Sequence, residues 1–183
     1  MRPDLPLVLV EDFLPAHATL LAAQHATIDW DERMRARRTA SYGRPYDYSQ
    51  LTYAARPMPP WLESIRARVA PIAGFEPDNC LLNEYATGAQ TMGLHADALE
   101  DLAPGTGVAI VSLGAARTLR FVQLVDGRRP RRGDPVEEVA VRLTGGSLLV
   151  VPPVVQTAWL HGIGAEPDAG LRVSLTFRRL RAP

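Results

Sequence analysis

Arg172-Val173-Ser174-Leu175-Thr176-Phe177-Arg178 alternates without a break between polar and apolar residues. Successive side chains of a strand point to opposite faces, so Val173, Leu175 and Phe177 share one face and Arg172, Ser174, Thr176 and Arg178 the other. The apolar face reads as core. The polar face places two guanidiniums and two hydroxyls indoors or in a cleft, where an unpaired guanidinium is costly. Arginine is suited to two-pronged capture of carboxylates. A dicarboxylic acid satisfies both arginines.

Upstream, Asn83-Glu84-Tyr85 offers further hydrogen-bonding groups, with Asn83 and Tyr85 on one strand face. Leu94-His95-Ala96-Asp97 then places a histidine and a carboxylate two residues apart. On an expected strand over 92–97 both aim the same way while Leu94 and Ala96 pack behind. Trp159-Leu160-His161-Gly162 supplies a second histidine from an expected neighbouring strand. Two imidazoles and one carboxylate on one side of Fe(II) leave positions open for a co-substrate and O2. A co-substrate such as 2-oxoglutarate would answer the two arginines.

The rest of the chain reads as many short strands between Gly and Pro turns, which indicates a sandwich or barrel. Strands are expected at 5–10, 80–85, 108–113, 118–124, 136–143, 147–151, 157–161 and 171–180. Helices are expected at 16–28, with Leu20, Leu21 and Ile28 inward, and at 61–73, with Leu62, Ile65, Val69 and Ile72 on one stripe and Gly74 as its stop. His17 and His25 read as exposed or locally bonded helix residues.

The 183 residues suit one domain with a sizeable core. The expected division is helical support and a substrate lip over 1–79, then the catalytic core over 80–183. Net charge is zero, which argues against a chain coated in positive charge but leaves room for a local basic patch. Every lysine-or-arginine position is Arg. Two segments concentrate it. Over 30–53, Arg33, Arg35, Arg37, Arg38 and Arg44 interleave with Trp30, Tyr42, Tyr46, Tyr48 and Tyr53. Arginines neutralise phosphates and aromatics stack on unstacked bases; the alternative is a loop pinned by tyrosines. At 128–132, a hairpin tip carries Arg128, Arg129, Arg131 and Arg132. Cys80 is the lone cysteine, so no intrachain disulfide forms and a reducing cytoplasm fits. The first residues lack a signal-peptide pattern, and no apolar run approaches a membrane span.

Asn83-x-Tyr85, His95-x-Asp97, Ser112-Leu113-Gly114, His161 and Arg172-x-Ser174-x-Thr176-Phe177-Arg178 together resemble the AlkB family of Fe(II)/2-oxoglutarate dioxygenases. The resemblance covers roughly residues 37–181. Arg38-Thr39-Ala40-Ser41-Tyr42-Gly43 followed by Tyr46-x-Tyr48-Ser49 is similar to the segment before the catalytic core in animal AlkB homologues that repair DNA. The resemblance implies a mainly β double-stranded β-helix (jelly-roll) with N-terminal helices packed on one side. It implies His95, Asp97 and His161 as iron ligands. It gives Arg172, helped by Tyr85, the distal carboxylate of 2-oxoglutarate, with Asn83 and Arg178 nearer the metal and Ser174 as a further co-substrate contact. It implies Arg37, Arg38, Tyr42, Tyr46 and Tyr48 as the substrate lip, and a nucleic acid with alkylated bases as substrate, demethylated with release of formaldehyde, succinate and CO2.

Two positions depart from the family. Ser174 stands where Asn is usual and shortens one co-substrate contact. Ala98-Leu99 follow Asp97 where repair members carry acids, the acids here coming at Glu100 and Asp101. The competing readings are the same iron chemistry on a small molecule or protein side chain, and a non-catalytic β-barrel binding module. No obligate protein partner is evident.

Overall fold

The computed structural model describes residues 5–48 and 51–182. In chain order the strands are β1 (Val8–Val10), β2 (Arg38–Gly43), β3 (Tyr46–Tyr48), β4 (Leu51–Tyr53), β5 (Asn79–Tyr85), β6 (Met92–His95), β7 (Val108–Gly114), β8 (Arg117–Gln123), β9 (Glu138–Leu143), β10 (Leu148–Val151), β11 (Trp159–Ile163) and β12 (Arg172–Arg178). The helices are α1 (His17–Gln24), α2 (Pro60–Ala73) and α3 (Pro153–Ala158).

Two antiparallel sheets face each other. One has six strands in the order β1-β10-β7-β12-β5-β2; the other has four, β6-β11-β8-β9; the β3–β4 hairpin stands apart. Strand alternation sorts β12 as its sequence dictates. Val173, Leu175 and Phe177 are fully buried in one core with α1 and α2, through residues such as Leu21, Leu62, Ile65 and Val69. Each such side chain contributes about 1.5–3 kcal/mol of apolar burial. Arg172, Ser174, Thr176 and Arg178 point the other way, into the cleft between the sheets. A second core, built on Leu119, Phe121, Leu143, Leu149, Val151, Trp159 and Ile163, closes that cleft from behind. This is the mainly β jelly-roll with helices on one side that the resemblance implied.

α2 forms where the apolar stripe placed it. Pro60 opens the helix, whose first N–H has no intrahelical partner in any case. Gly74 ends it in the left-handed region (φ 76°), its N–H donating to the Ala70 carbonyl at 3.0 Å. Of the inward residues named above, Ile72 is 38% exposed and lies off the stripe.

Several boundaries differ from expectation. β6 stops at His95, so Asp97 lies beyond the strand end. The segment expected as a strand from 157 begins one short helix later: the Pro152-Pro153 pair starts α3, and β11 opens only at Trp159. The helix expected over 16–28 divides into α1 and a 3-10 turn at His25–Thr27. Strand β1 starts at Val8 and β9 at Glu138. The segment expected as a surface lip contributes β2 to the edge of the six-stranded sheet, paired to β5 with Thr39 opposite Asn83. Ser49 of the motif and the N-terminal residues 1–4 lie outside the described residues. Among the described residues no helix is long and apolar enough to cross a membrane.

Candidate metal centre and co-substrate pocket

β6 and β11 pair antiparallel with His95 directly opposite His161. Their rings meet at a centroid distance of 4.4 Å. The register shifts between His161 and Ile163, and Gly162 permits the close approach, since a Cβ there would lie 2.8 Å from the Met92 carbonyl oxygen. His95 Nδ1 lies 2.9 Å from the Gly93 carbonyl, which leaves Nε2 to face the pocket. One donor atom from each of His95, Asp97 and His161 lies within 4.8 Å of the others.

Asp97 is held by side chains from two other elements. Arg178 donates to Oδ1 through Nη2 at 2.5 Å and Nε at 3.2 Å. Gln156, on α3, donates through Nε2 to Oδ2 at 3.1 Å and accepts the Asp97 backbone N–H at Oε1, also at 3.1 Å. Oδ2 is thus the oxygen turned toward His161, whose Nε2 lies 3.6 Å away. Burial alone would raise the Asp97 pKa, but the charge and hydrogen bonds of Arg178 hold it well below the usual carboxylate range. Burial pushes His161 down to about 4, so its ring is neutral, the form a metal requires. The geometry and donor types suit a two-histidine, one-carboxylate metal site with an open side.

The far end of the same cleft carries a buried guanidinium. Arg172 is 1% exposed; its Nη2 donates to Ser112 Oγ at 3.0 Å, while Nε and Nη1 have no hydrogen-bond partner among the described residues. Burial lowers its pKa from the ordinary guanidinium value, the mark of a buried cation short of counter-charge. Tyr85 lies between two arginines, its ring centroid 5.3 Å from Arg172 Cζ and 5.4 Å from Arg117 Cζ. Asn83, Ser174 and Thr176 line the wall between Arg172 and the metal ligands. Two free guanidinium nitrogens at one end and a metal triad at the other fit a 2-oxo dicarboxylate that is charged at both ends.

The expected substrate residues divide. Tyr46 and Tyr48 of β3 stand at the site: Tyr48 lines the pocket and the Tyr46 ring lies 5.0 Å from Arg178 Cζ. Arg37 is turned inward and is buried. Its Nε donates to Asn83 Oδ1 at 2.8 Å and its Nη2 to the Tyr48 hydroxyl, so it props the pocket wall instead of meeting a phosphate. Arg38 projects from the opposite face of the sheet, where it forms an ion pair with Glu84. Tyr42 shares that face, buried in the helix-side core under Arg56. The period of two along β2 separates Arg37 from Arg38 and Tyr42. Arg129, Arg131 and Arg132 at the β8–β9 tip are exposed, and Arg128 pairs with Asp134. His17 meets the Gly114 N–H at 3.2 Å and His25 meets Glu84 at 2.5 Å, both away from the metal ligands.

Sequence reasoning missed Gln156 and Arg117. A signal existed for each: Gln156 is a polar residue set among Val154, Val155, Ala158 and Trp159, and Arg117 opens a strand whose alternate residues Leu119 and Phe121 are core.

Residues 16–178 match the family described as the 2OG-Fe(II) oxygenase superfamily, and the chain belongs to it. Its family is therefore one of Fe(II)- and 2-oxoglutarate-dependent dioxygenases. Within that superfamily it is of the AlkB type. It is 38% identical over 149 residues to the mouse DNA oxidative demethylase ALKBH2, covering 79% of this chain and 62% of that protein. The human protein of the same name is 35% identical over 148 residues, covering 79% and 56%. The rat alpha-ketoglutarate-dependent dioxygenase alkB homolog 3 is 29% identical over 165 residues, covering 82% and 55%. The chain thus spans little more than half the length of these relatives. By fold it is similar to OsALKBH1, with a TM-score of 0.71 at 18% identity over 98% of this chain and 99% of that one. A Pseudomonas putida prolyl-4-hydroxylase follows at 0.54 and 19%, over 98% and 95%.

Proposed function

We propose that this chain oxidatively removes N-linked alkyl groups from nucleobases, using Fe(II), 2-oxoglutarate and O2. The observation that carries the reading is the arrangement of one cleft. His95, Asp97 and His161 line it together with Arg172, two of whose nitrogens have no partner among the described residues; Tyr48 lines it too, and Tyr46 packs against Arg178. When bound, iron and 2-oxoglutarate supply the oxidising chemistry: the co-substrate becomes succinate and CO2, and the N-methyl carbon leaves as formaldehyde, restoring the N–H. The protein contributes position and charge. His95, Asp97 and His161 hold the metal. Arg172 takes the distal carboxylate on Nε and Nη1, with Tyr85 packed beside it. Asn83, Ser174 and Arg178 line the end nearer the metal, and Arg178 also neutralises Asp97. Tyr46 and Tyr48 offer ring faces to a base taken out of its stack.

The names of the relatives, DNA oxidative demethylases among them, support a nucleic-acid substrate. The proposal takes residues 1–183 as one dioxygenase domain. The lone buried thiol of Cys80 suits a cytoplasmic setting.

The test is succinate and formaldehyde release with oligonucleotides carrying 1-methyladenine or 3-methylcytosine, against unmethylated controls. Equal amounts of both products, dependent on the methyl group, support the reading. Co-substrate turnover without formaldehyde from any methylated oligonucleotide would overturn it. The same iron chemistry on a small molecule or protein side chain would then stand, a reading favoured by the partly buried Ala98-Leu99 step where an acid facing a cationic base is otherwise expected.

A further inference from the structure

We infer that Gln156 is a positioning residue for the metal site: its amide sets the direction in which Asp97 presents Oδ2. The inference rests on His95, Asp97 and His161 being the ligands.

Alternation on β6 cannot aim Asp97, because the strand ends at His95. The residues that follow leave the ladder, and the 3-10 turn Leu99–Asp101 comes next. The carboxylate on this unpaired backbone needs support from elsewhere. Arg178 accounts for Oδ1 alone. A carboxylate anchored at one oxygen still swings its second oxygen about that anchor. Gln156 removes this freedom with two bonds: Nε2 to Oδ2, and Oε1 from the Asp97 N–H. One amide therefore fixes both the backbone and the side chain of one residue. Reversing the amide would set N–H against N–H and carbonyl against carboxylate, so the bonding admits a single orientation.

The placement of Gln156 is itself specified. It is 4% exposed, beside the fully buried Val155, on a helix started by the Pro152-Pro153 pair. A buried primary amide with only packing to do would be disfavoured at such a position. Both its polar ends are used, and both on Asp97. The same short helix leads directly into β11, so the residue that orients Asp97 is tied through five positions to the one that opposes His95. Partners of ligating carboxylates typically change metal affinity by about 10–100-fold when removed.

The test measures anaerobic Fe(II) binding to the metal-free full chain by calorimetry, with 2-oxoglutarate turnover measured separately at saturating iron. Gln156→Met keeps the bulk and removes both bonds. Its Fe(II) dissociation constant should rise about 10–100-fold, and its turnover at saturating iron should fall by less than its iron affinity does. Gln156→Asn, one methylene short, should fall between the two. Val155→Ala is the packing control: it should lower the melting temperature and leave the Fe(II) constant within about twofold of the parent. Asp97→Ala should lose binding. A Gln156→Met variant that binds iron as the parent does overturns the inference, as does an equal loss in Val155→Ala. If Gln156→Met fails to fold, Gln156→Asn carries the same comparison. Parental iron binding by Asp97→Ala would instead strike down the ligand assignment, a distinct failure.

Discussion

His161 lies directly across the β6–β11 pairing from His95, on the same face of the four-stranded sheet. Direct opposition across an antiparallel pair brings two side chains closer than any other sheet relationship. Ring positions are thus set by hydrogen-bonded backbone, the stiffest part of the site. Replacing either imidazole removes a donor without disturbing the ladder. His95→Ala or His161→Ala should abolish 2-oxoglutarate decarboxylation while the melting temperature of the metal-free protein moves by no more than a few degrees. Retained turnover after full iron loading, in either variant, would rule out the triad.

Arg172 should act through binding. Arg172→Lys keeps one positive charge and loses the fork. The concentration of 2-oxoglutarate needed for half-maximal turnover should rise roughly tenfold or more, since one charge-assisted bond is worth about 1.5–3 kcal/mol. An unchanged co-substrate dependence would remove Arg172 from this role.

The tyrosines beside the pocket and the exposed arginines of the β8–β9 tip should separate by their response to salt. Arg129→Ala with Arg132→Ala should weaken oligonucleotide binding and flatten its salt dependence, because each neutralised phosphate releases counterions. Tyr46→Ala or Tyr48→Ala should lower affinity or demethylation with little change in slope, since stacking is not ionic. Uncoupled co-substrate turnover should survive the arginine changes. Binding insensitive to all four substitutions would assign both segments a structural role.

Glu84 gives a pH signature. Burial raises its pKa, but the bonds from Arg38 and His25 outweigh that and hold it below the ordinary value. A folded-state value below the unfolded one, about 4.3, means the stabilisation is present above that pH and is lost as pH falls through the folded value. Glu84→Gln should cost about 1–3 kcal/mol at pH 7. The parent should then lose more stability than the variant between pH 5 and 3. Parallel melting curves across that range would contradict the ion pair.

Much of this is legible in the sequence. The alternation over β12 told which residues face the helices and which the cleft, because a strand buried on both faces keeps its period even when one face is polar. His95, Asp97 and His161 were found as a set, yet the reason offered for Asp97 was wrong: a two-residue spacing implied a shared strand face, and the strand stops first. What stops it, and what then holds the carboxylate, is tertiary. Gln156 sits in a helix that two prolines create inside an apolar run otherwise readable as strand. Arg37 and Arg38 are placed by tertiary pairing in the same way. An arginine-rich segment looks like a surface, and only the pairing of β2 with Asn83 and Glu84 shows that neighbours in sequence end on opposite sides of a sheet.

The Asp97–Arg178 contact also joins the two layers of the sandwich. Arg178 belongs to the six-stranded sheet, whereas Asp97 follows β6 and is clasped by the helix leading into β11, both of the four-stranded one. Any breathing that parts the layers at this end pulls the guanidinium from the carboxylate and opens the cleft to solvent. A metal held there would then be reached from solvent through layer separation. The rate at which a strong chelator strips the loaded protein becomes a clock for that opening, and it should track amide exchange along β12 and β11.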